Sequence, residues 1–318
     1  MYKLKTWIDI NKIRWDILSS NPNAIDLLEK NMDKIDWSKL SLNQNAIHLL
    51  EKNIDKIDWD YLSFNPNAIH LLEKNIDKKS WYKLLSNPYQ FFLSSFLDNN
   101  RINWLWLSSN PNAIHILSKN INKINWTLLS VNPNDMMLLE KNQNKIDWKE
   151  LSSNPNAIML LEKNQNKINW CKLSLNPNAM MLLEKNLDKI NWQLLSLNPN
   201  AIDILSKNMD KIDWYRLSLN PNAIHLLEKN MDKIDWYRLS LNPNATHLLE
   251  KNKDNINWPC LSSNPSIFEL DYEALEKRCN IYKEELIKKA LHPLVIKRYL
   301  DHPRLKDQDL EYILDNCI

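Results

Sequence analysis

A chain of 318 residues with 44% hydrophobic side chains has enough apolar material for a continuous core, and a formal net charge of +2 is too small to mark a nucleic-acid or membrane binder. It contains no glycine, which excludes the dinucleotide-binding loop, the phosphate loop and the Gly-flanked nucleophile elbow, because each needs backbone without a Cβ. The four cysteines (Cys171, Cys260, Cys279, Cys317) form no C-x-x-C pair, and no stretch approaches the ~20 apolar residues of a membrane span, so the expectation is a reduced, soluble, cytoplasmic protein.

Residues 1–14 read as an incomplete opening unit, an N-terminal capping half-repeat in which Lys12-Ile13-Arg14 leads into the first repeat tryptophan. Tryptophan then sets the period. Trp15, Trp37, Trp59 and Trp81 are 22 residues apart, and after one step of 23 the series continues through Trp104, Trp126, Trp148, Trp170, Trp192, Trp214, Trp236 and Trp258. With Trp as position 1, the unit reads W-x-x-L-S-x-N-P-N-A-I-x-L-L-E-K-N-x-D-K-I-D/N, as in residues 214–235. The unit at 81–103 keeps Asn87-Pro88 but carries the extra residue and replaces the helix text with Tyr89-Gln90-Phe91-Phe92-Leu93, which reads as a bend or junction. Beyond Asn264-Pro265 the pattern gives way to amphipathic segments at about 271–290, 293–301 and 305–316, a helical C-terminal cap spanning 266–318.

Each unit contains its own helix signals. In Asn220-Pro221 the Asn is a good N-cap and the Pro suits the first helical position, so a helix of about ten residues is predicted. Ala223, Ile224, Leu226 and Leu227 form its apolar arc, and Asn230 is predicted to end it in a left-handed C-cap. Asp213 is predicted to cap a second, very short helical turn that carries Trp214 and Leu217 on one face. No single unit buries the resulting stripe, but stacked neighbours do, with the twelve tryptophans in the core. The predicted architecture is all-α: a right-handed superhelical solenoid of about twelve 22-residue two-helix units (15–265) with a cap at each end.

The spacing of Leu-Ser-x-Asn-Pro resembles leucine-rich-repeat-variant solenoids, which alternate an α-helix with a 3₁₀ helix. Text such as NPNAIHLLEKNIDKIDW, with LSSNPSIFELDYEALEKR and KEELIKKALHP near the end, is similar to tandem-repeat proteins of amoeba-infecting giant viruses of the mimivirus type. That resemblance covers almost the whole chain. It implies a viral origin and expression in the host cytoplasm, with packaging in the virion a further location to test.

Partner information has to lie where the unit varies. Position 12 points away from the predicted core and holds Asp26, His48, His70, Phe92, His115, Met137, Met159, Met181, Asp203, His225 and His247. Equivalent atoms ~8–10 Å apart on adjacent units are too distant to share one Zn²⁺ or to form an acid–base pair, so no metal, cofactor or catalytic residue is expected. Met137, Met159 and Met181 place adaptable apolar side chains on three consecutive units, a partner surface or a lateral packing contact. Positions 2 and 3 include Tyr215-Arg216 and Tyr237-Arg238, candidate hot spots that would equally stack on bases. Trp106, two residues after Trp104, either fills the gap beside the irregular unit or is an exposed anchor. The expected function is a non-catalytic protein–protein scaffold with a host or viral protein partner and no membrane or small-molecule substrate. The alternative is a single-stranded RNA-binding solenoid, which needs a continuous basic groove.

Overall fold

The computed structural model describes residues 1–75 and 104–300. The chain divides into two compact units, residues 2–269 and Met1 with residues 270–318. The first is the repeat array, whose regular elements among the described residues are short helices apart from two three-residue strands. The irregular unit around Trp81 lies outside the described residues.

The unit beginning at Trp214 shows the construction. It contains three short pieces, not two: an α-turn Trp214–Leu217, an α-helix Ile224–Glu228 and a 3₁₀ turn Met231–Lys233. The cap of the first piece is as expected, since the Asp213 carboxylate accepts from the Arg216 N–H at 2.9 Å. Asparagine does the same work elsewhere, as between Asn169 and the Lys172 N–H at 3.0 Å.

Asn220 does not cap a ten-residue helix. It is buried, and its Nδ2 donates to two carbonyls of the preceding unit, Ser196 at 3.1 Å and Asn198 at 2.9 Å, while its Oδ1 accepts from the Asn222 N–H. Asn220–Ala223 instead forms a turn closed by the Ala223 N–H on the Asn220 carbonyl, with Pro221 where its fixed φ suits a turn. The helix therefore starts only at Ile224. Asn222 adds an exposed rung, its Nδ2 on the Pro199 carbonyl at 3.0 Å. The same three bonds recur at Asn154, Asn176, Asn198 and Asn242 with their following asparagines, so a ladder of side-chain amides runs from unit to unit.

Asn230 is not left-handed either. Its φ is −136° and ψ 53°, and no described residue has positive φ. It ends the helix by wrapping its Nδ2 back to the Leu226 carbonyl at 2.8 Å while its N–H reaches the Leu227 carbonyl. Backbone that needs no positive φ, as in the described residues, does without glycine at no conformational cost.

Ser218 ties the two ends of the unit together: its hydroxyl donates to the Trp214 carbonyl at 2.8 Å and accepts from the Asp235 N–H at 3.0 Å. Leu217, Ala223 and Leu227 are wholly buried, with Leu226 and Ile234 nearly so. Among the described residues the repeat tryptophans are not in this layer. They are half-buried and pack against it from the edge, because the space between layers is filled by Leu and Ala; the Lys233 ammonium then covers the Trp214 ring at 4.8 Å from its centroid. The same lysine–tryptophan pairing recurs at Trp15 and Trp37 and again from Trp104 to Trp192.

The first and last units of the array meet. Asn21 of the first unit donates to the carbonyls of Ser262 and Asn264 in the last, at 3.2 and 3.1 Å, and Asn23 to Pro265 at 3.0 Å, the same rungs that join covalent neighbours. Residues 8–14 are not a cap but the missing second half of the last unit. The 3₁₀ turn Ile10–Lys12 stands where Met231–Lys233 stands in the Trp214 unit, Ile13 is buried in the place of Ile234, and the Arg14 N–H reaches the Ser262 hydroxyl at 3.0 Å as Asp235 reaches Ser218. Two three-residue strands, β1 (Tyr2–Leu4) and β2 (Phe268–Leu270), pair at this seam, and the Lys5 N–H bonds the Ile267 carbonyl at 2.9 Å. The expectation of an open superhelix is corrected accordingly: the first unit bonds the last across this seam.

In the second compact unit the helix Tyr272–Ala290 is capped by Asp271, which accepts from the Ala274 N–H, and Pro293–Leu300 follows. The segment expected at 305–316 lies outside the described residues.

Candidate partner-binding surface

From His115 to His247 position 12 faces solvent, as the helical phase of the unit requires. Met137, Met159 and Met181 are 70%, 73% and 69% exposed, so lateral packing does not account for them. Their outward direction follows from Leu138, Leu160 and Leu182, the next residues in sequence, which turn inward. Three of the histidines at this position pair with glutamates. His48 Nε2 lies 2.7 Å from Glu29 Oε1 and His247 2.8 Å from Glu228, and His70 meets Glu51 in the same way; each Glu belongs to the preceding unit. Among the described residues no three His, Cys, Asp or Glu side chains converge on a point that would hold a metal ion.

Positions 2 and 3 are engaged with each other across units. Tyr215 and Tyr237 are 50% and 56% exposed, but the Arg238 guanidinium lies over the Tyr215 ring at 3.8 Å, and Arg216 is held by the Asp213 carboxylate at 2.6 Å. A hydrogen bond with the Cys260 thiol, with charge interactions from Cys260 next, raises the Tyr237 hydroxyl above its ordinary pKa. Lys172 bonds Glu150 at 3.1 Å and Thr127 bonds Asp147 at 3.2 Å between neighbouring units. The two Tyr-Arg pairs therefore form a packed cluster with one aromatic face already occupied. Trp106 lies in the helix Trp104–Ser109, and the position of its side chain is outside what is described.

One residue passed unnoticed in the sequence. Asp135 occupies position 10, where Ala113 and Ala157 stand in the adjacent units, and it is wholly buried with neither carboxylate oxygen bonded. Desolvation lifts its pKa from 3.8 to about 7. The signal was available as Asn-Pro-Asn-Asp in place of Asn-Pro-Asn-Ala.

No protein family, curated protein or solved structure matches the chain. Among the described residues no helix is long and apolar enough to cross a membrane.

Proposed function

We propose that the array is a non-catalytic scaffold that binds a protein partner through the side chains it turns outward at positions 2, 3 and 12. The observation that carries this reading is the exposure of Met137, Met159 and Met181 on three consecutive units whose internal residues hardly change. Flexible thioethers on a rigid frame suit an apolar partner surface. On the resemblance to giant-virus repeat proteins, the partner is a host or viral protein in the cytoplasm of the infected cell. RNA binding is less well supported, because Arg216 and Arg238 are already held by Asp213 and Tyr215.

The test is affinity purification from infected cells in RNase-treated and untreated halves, comparing the natural chain with a variant carrying Met137→Ser, Met159→Ser and Met181→Ser. The scaffold reading expects a protein retained after RNase by the natural chain and lost by the variant. Capture abolished by RNase, or unchanged in both this variant and one with Tyr215, Arg216, Tyr237 and Arg238 replaced by Ala or Ser, overturns it.

A further inference from the structure

The histidine and methionine units differ in more than hydrophobicity. At three histidine units, position 12 lies within hydrogen-bond reach of the glutamate at position 15 of the preceding unit: His48 with Glu29, His70 with Glu51 and His247 with Glu228. Glu140 precedes Met159 and Glu162 precedes Met181 at the same offset. A thioether offers these carboxylates no proton, and neither has an ion-pair partner among the described residues. Glu184 faces the worse case, since the next unit brings Asp203 to position 12. Lys141, Lys163 and Lys185 follow these glutamates, but lysine holds that place in the histidine units as well and does not account for the difference.

We propose that this stretch, Met137 to Asp203, receives a basic amphipathic helix: apolar side chains of the partner pack on the three methionines, and its Lys or Arg groups take the places beside Glu140 and Glu162 that imidazoles hold elsewhere. The inference rests on the scaffold reading and names the partner's chemistry. Spacing supports a helix. Stacked layers recur about every 8–10 Å, and a helix rises about 10.5 Å over seven residues, so anchors one heptad apart meet successive methionines. Charge supports a basic one, because a cation arriving there gains an unpaired carboxylate and displaces no existing pair.

The experiment titrates the full chain with a fluorescent three-heptad peptide of Leu and Lys with Leu one heptad apart, a Leu–Glu peptide of the same pattern, a shuffled Leu–Lys peptide and an oligouridylate. The patterned Leu–Lys peptide is expected to bind at least tenfold more tightly than the other three. Met137→Ser with Met159→Ser and Met181→Ser should weaken it tenfold or more, and so should Glu140→Gln with Glu162→Gln. Met159→His with Met181→His, which rebuilds the imidazole–carboxylate pairs, should weaken it as well while leaving circular dichroism unchanged. No binding of the Leu–Lys peptide, equal binding of the shuffled or acidic one, or indifference to the glutamine variant overturns the proposal. Loss with the serine variant alone would leave the scaffold reading standing and remove only the basic partner. Preference for the oligouridylate would remove both.

Discussion

The Lys12 ammonium lies over the ring of Trp258, 5.1 Å from its centroid, and so repeats across the two ends of the array the contact that Lys233 makes with Trp214 inside one unit. The pair shows that the last unit is assembled from both ends of the array. Deleting residues 1–14 should therefore act at both ends at once. It removes buried Ile8 and Ile13 and the hydrogen bonds from Lys5 and Arg14, together roughly 4–6 kcal/mol. Hydrogen exchange is expected to show amides of residues 15–31 and 258–267 losing protection while those of 148–208 keep it. Unchanged protection after the deletion would mean that the seam carries no stability.

Much of the unit was legible because its periodicity and its buried positions are the same fact seen twice. Leu217, Ala223, Leu227 and Ile234 are buried as the apolar pattern requires, and Asp213 caps as its place before Trp214 implies. The closure was not legible, because residues 8–14 and 258–267 each look like a frayed end until they are read as one unit. The place of Asn220 is hidden for a related reason. Asn before Pro serves equally as a helix cap or as a bridge to a neighbour, and only the position of the Ser196 and Asn198 carbonyls decides between them. At the candidate surface, helical phase predicts that Met159 points outward. It says nothing of Arg238 over Tyr215, which depends on the separation between units.

The two rungs of the asparagine ladder should differ in strength. Asn176 is buried and bonds the Ser152 and Asn154 carbonyls, so Asn176→Ala leaves the Ser152 carbonyl unpaired away from water, while the Asn154 carbonyl keeps the Ala157 N–H, and should cost about 1–3 kcal/mol. Asn178 makes its bond to the Pro155 carbonyl in an exposed setting, and Asn178→Ala should cost under about 1 kcal/mol. Urea denaturation of the two variants side by side makes the comparison, and equal losses would remove the buried rung from its place in holding units together.

Trp170 packs on the core from its edge, with the Lys189 ammonium 4.7 Å from its centroid. Trp170→Ala should cost about 3 kcal/mol, toward the low end for a large aromatic because the ring is half-buried. In a chain of nearest-neighbour contacts the loss should divide the melting curve into two steps, not lower one transition as a whole. Lys189→Ala should cost only about 0.5–1 kcal/mol. A calorimetric trace for Trp170→Ala that overlays the natural one would show that the tryptophans do not hold the layers together.

Asp135 makes stability depend on pH in an unusual direction for a carboxylate. Its folded-state pKa, about 7, lies above the ordinary 3.8, so the folded chain holds the proton more tightly than the unfolded one. The stability it permits is fully present below about pH 4, declines as pH rises toward 7, and is lost above that, where a charge sits buried without a partner. The difference across that window is on the order of 4 kcal/mol. Asp135→Ala restores the residue that Ala113 and Ala157 supply on either side, so the replacement fits the space by construction. The variant is expected to be more stable than the natural chain at pH 8, with the gap closing as the pH is brought down to 4. Denaturation midpoints of both proteins at four or five pH values isolate this group, since every other carboxylate titrates alike in the two chains. A gap that stays constant with pH would show that Asp135 does not titrate in the window its burial sets. A natural chain more stable than the variant at pH 8 would mean that the buried carboxylate is paired after all.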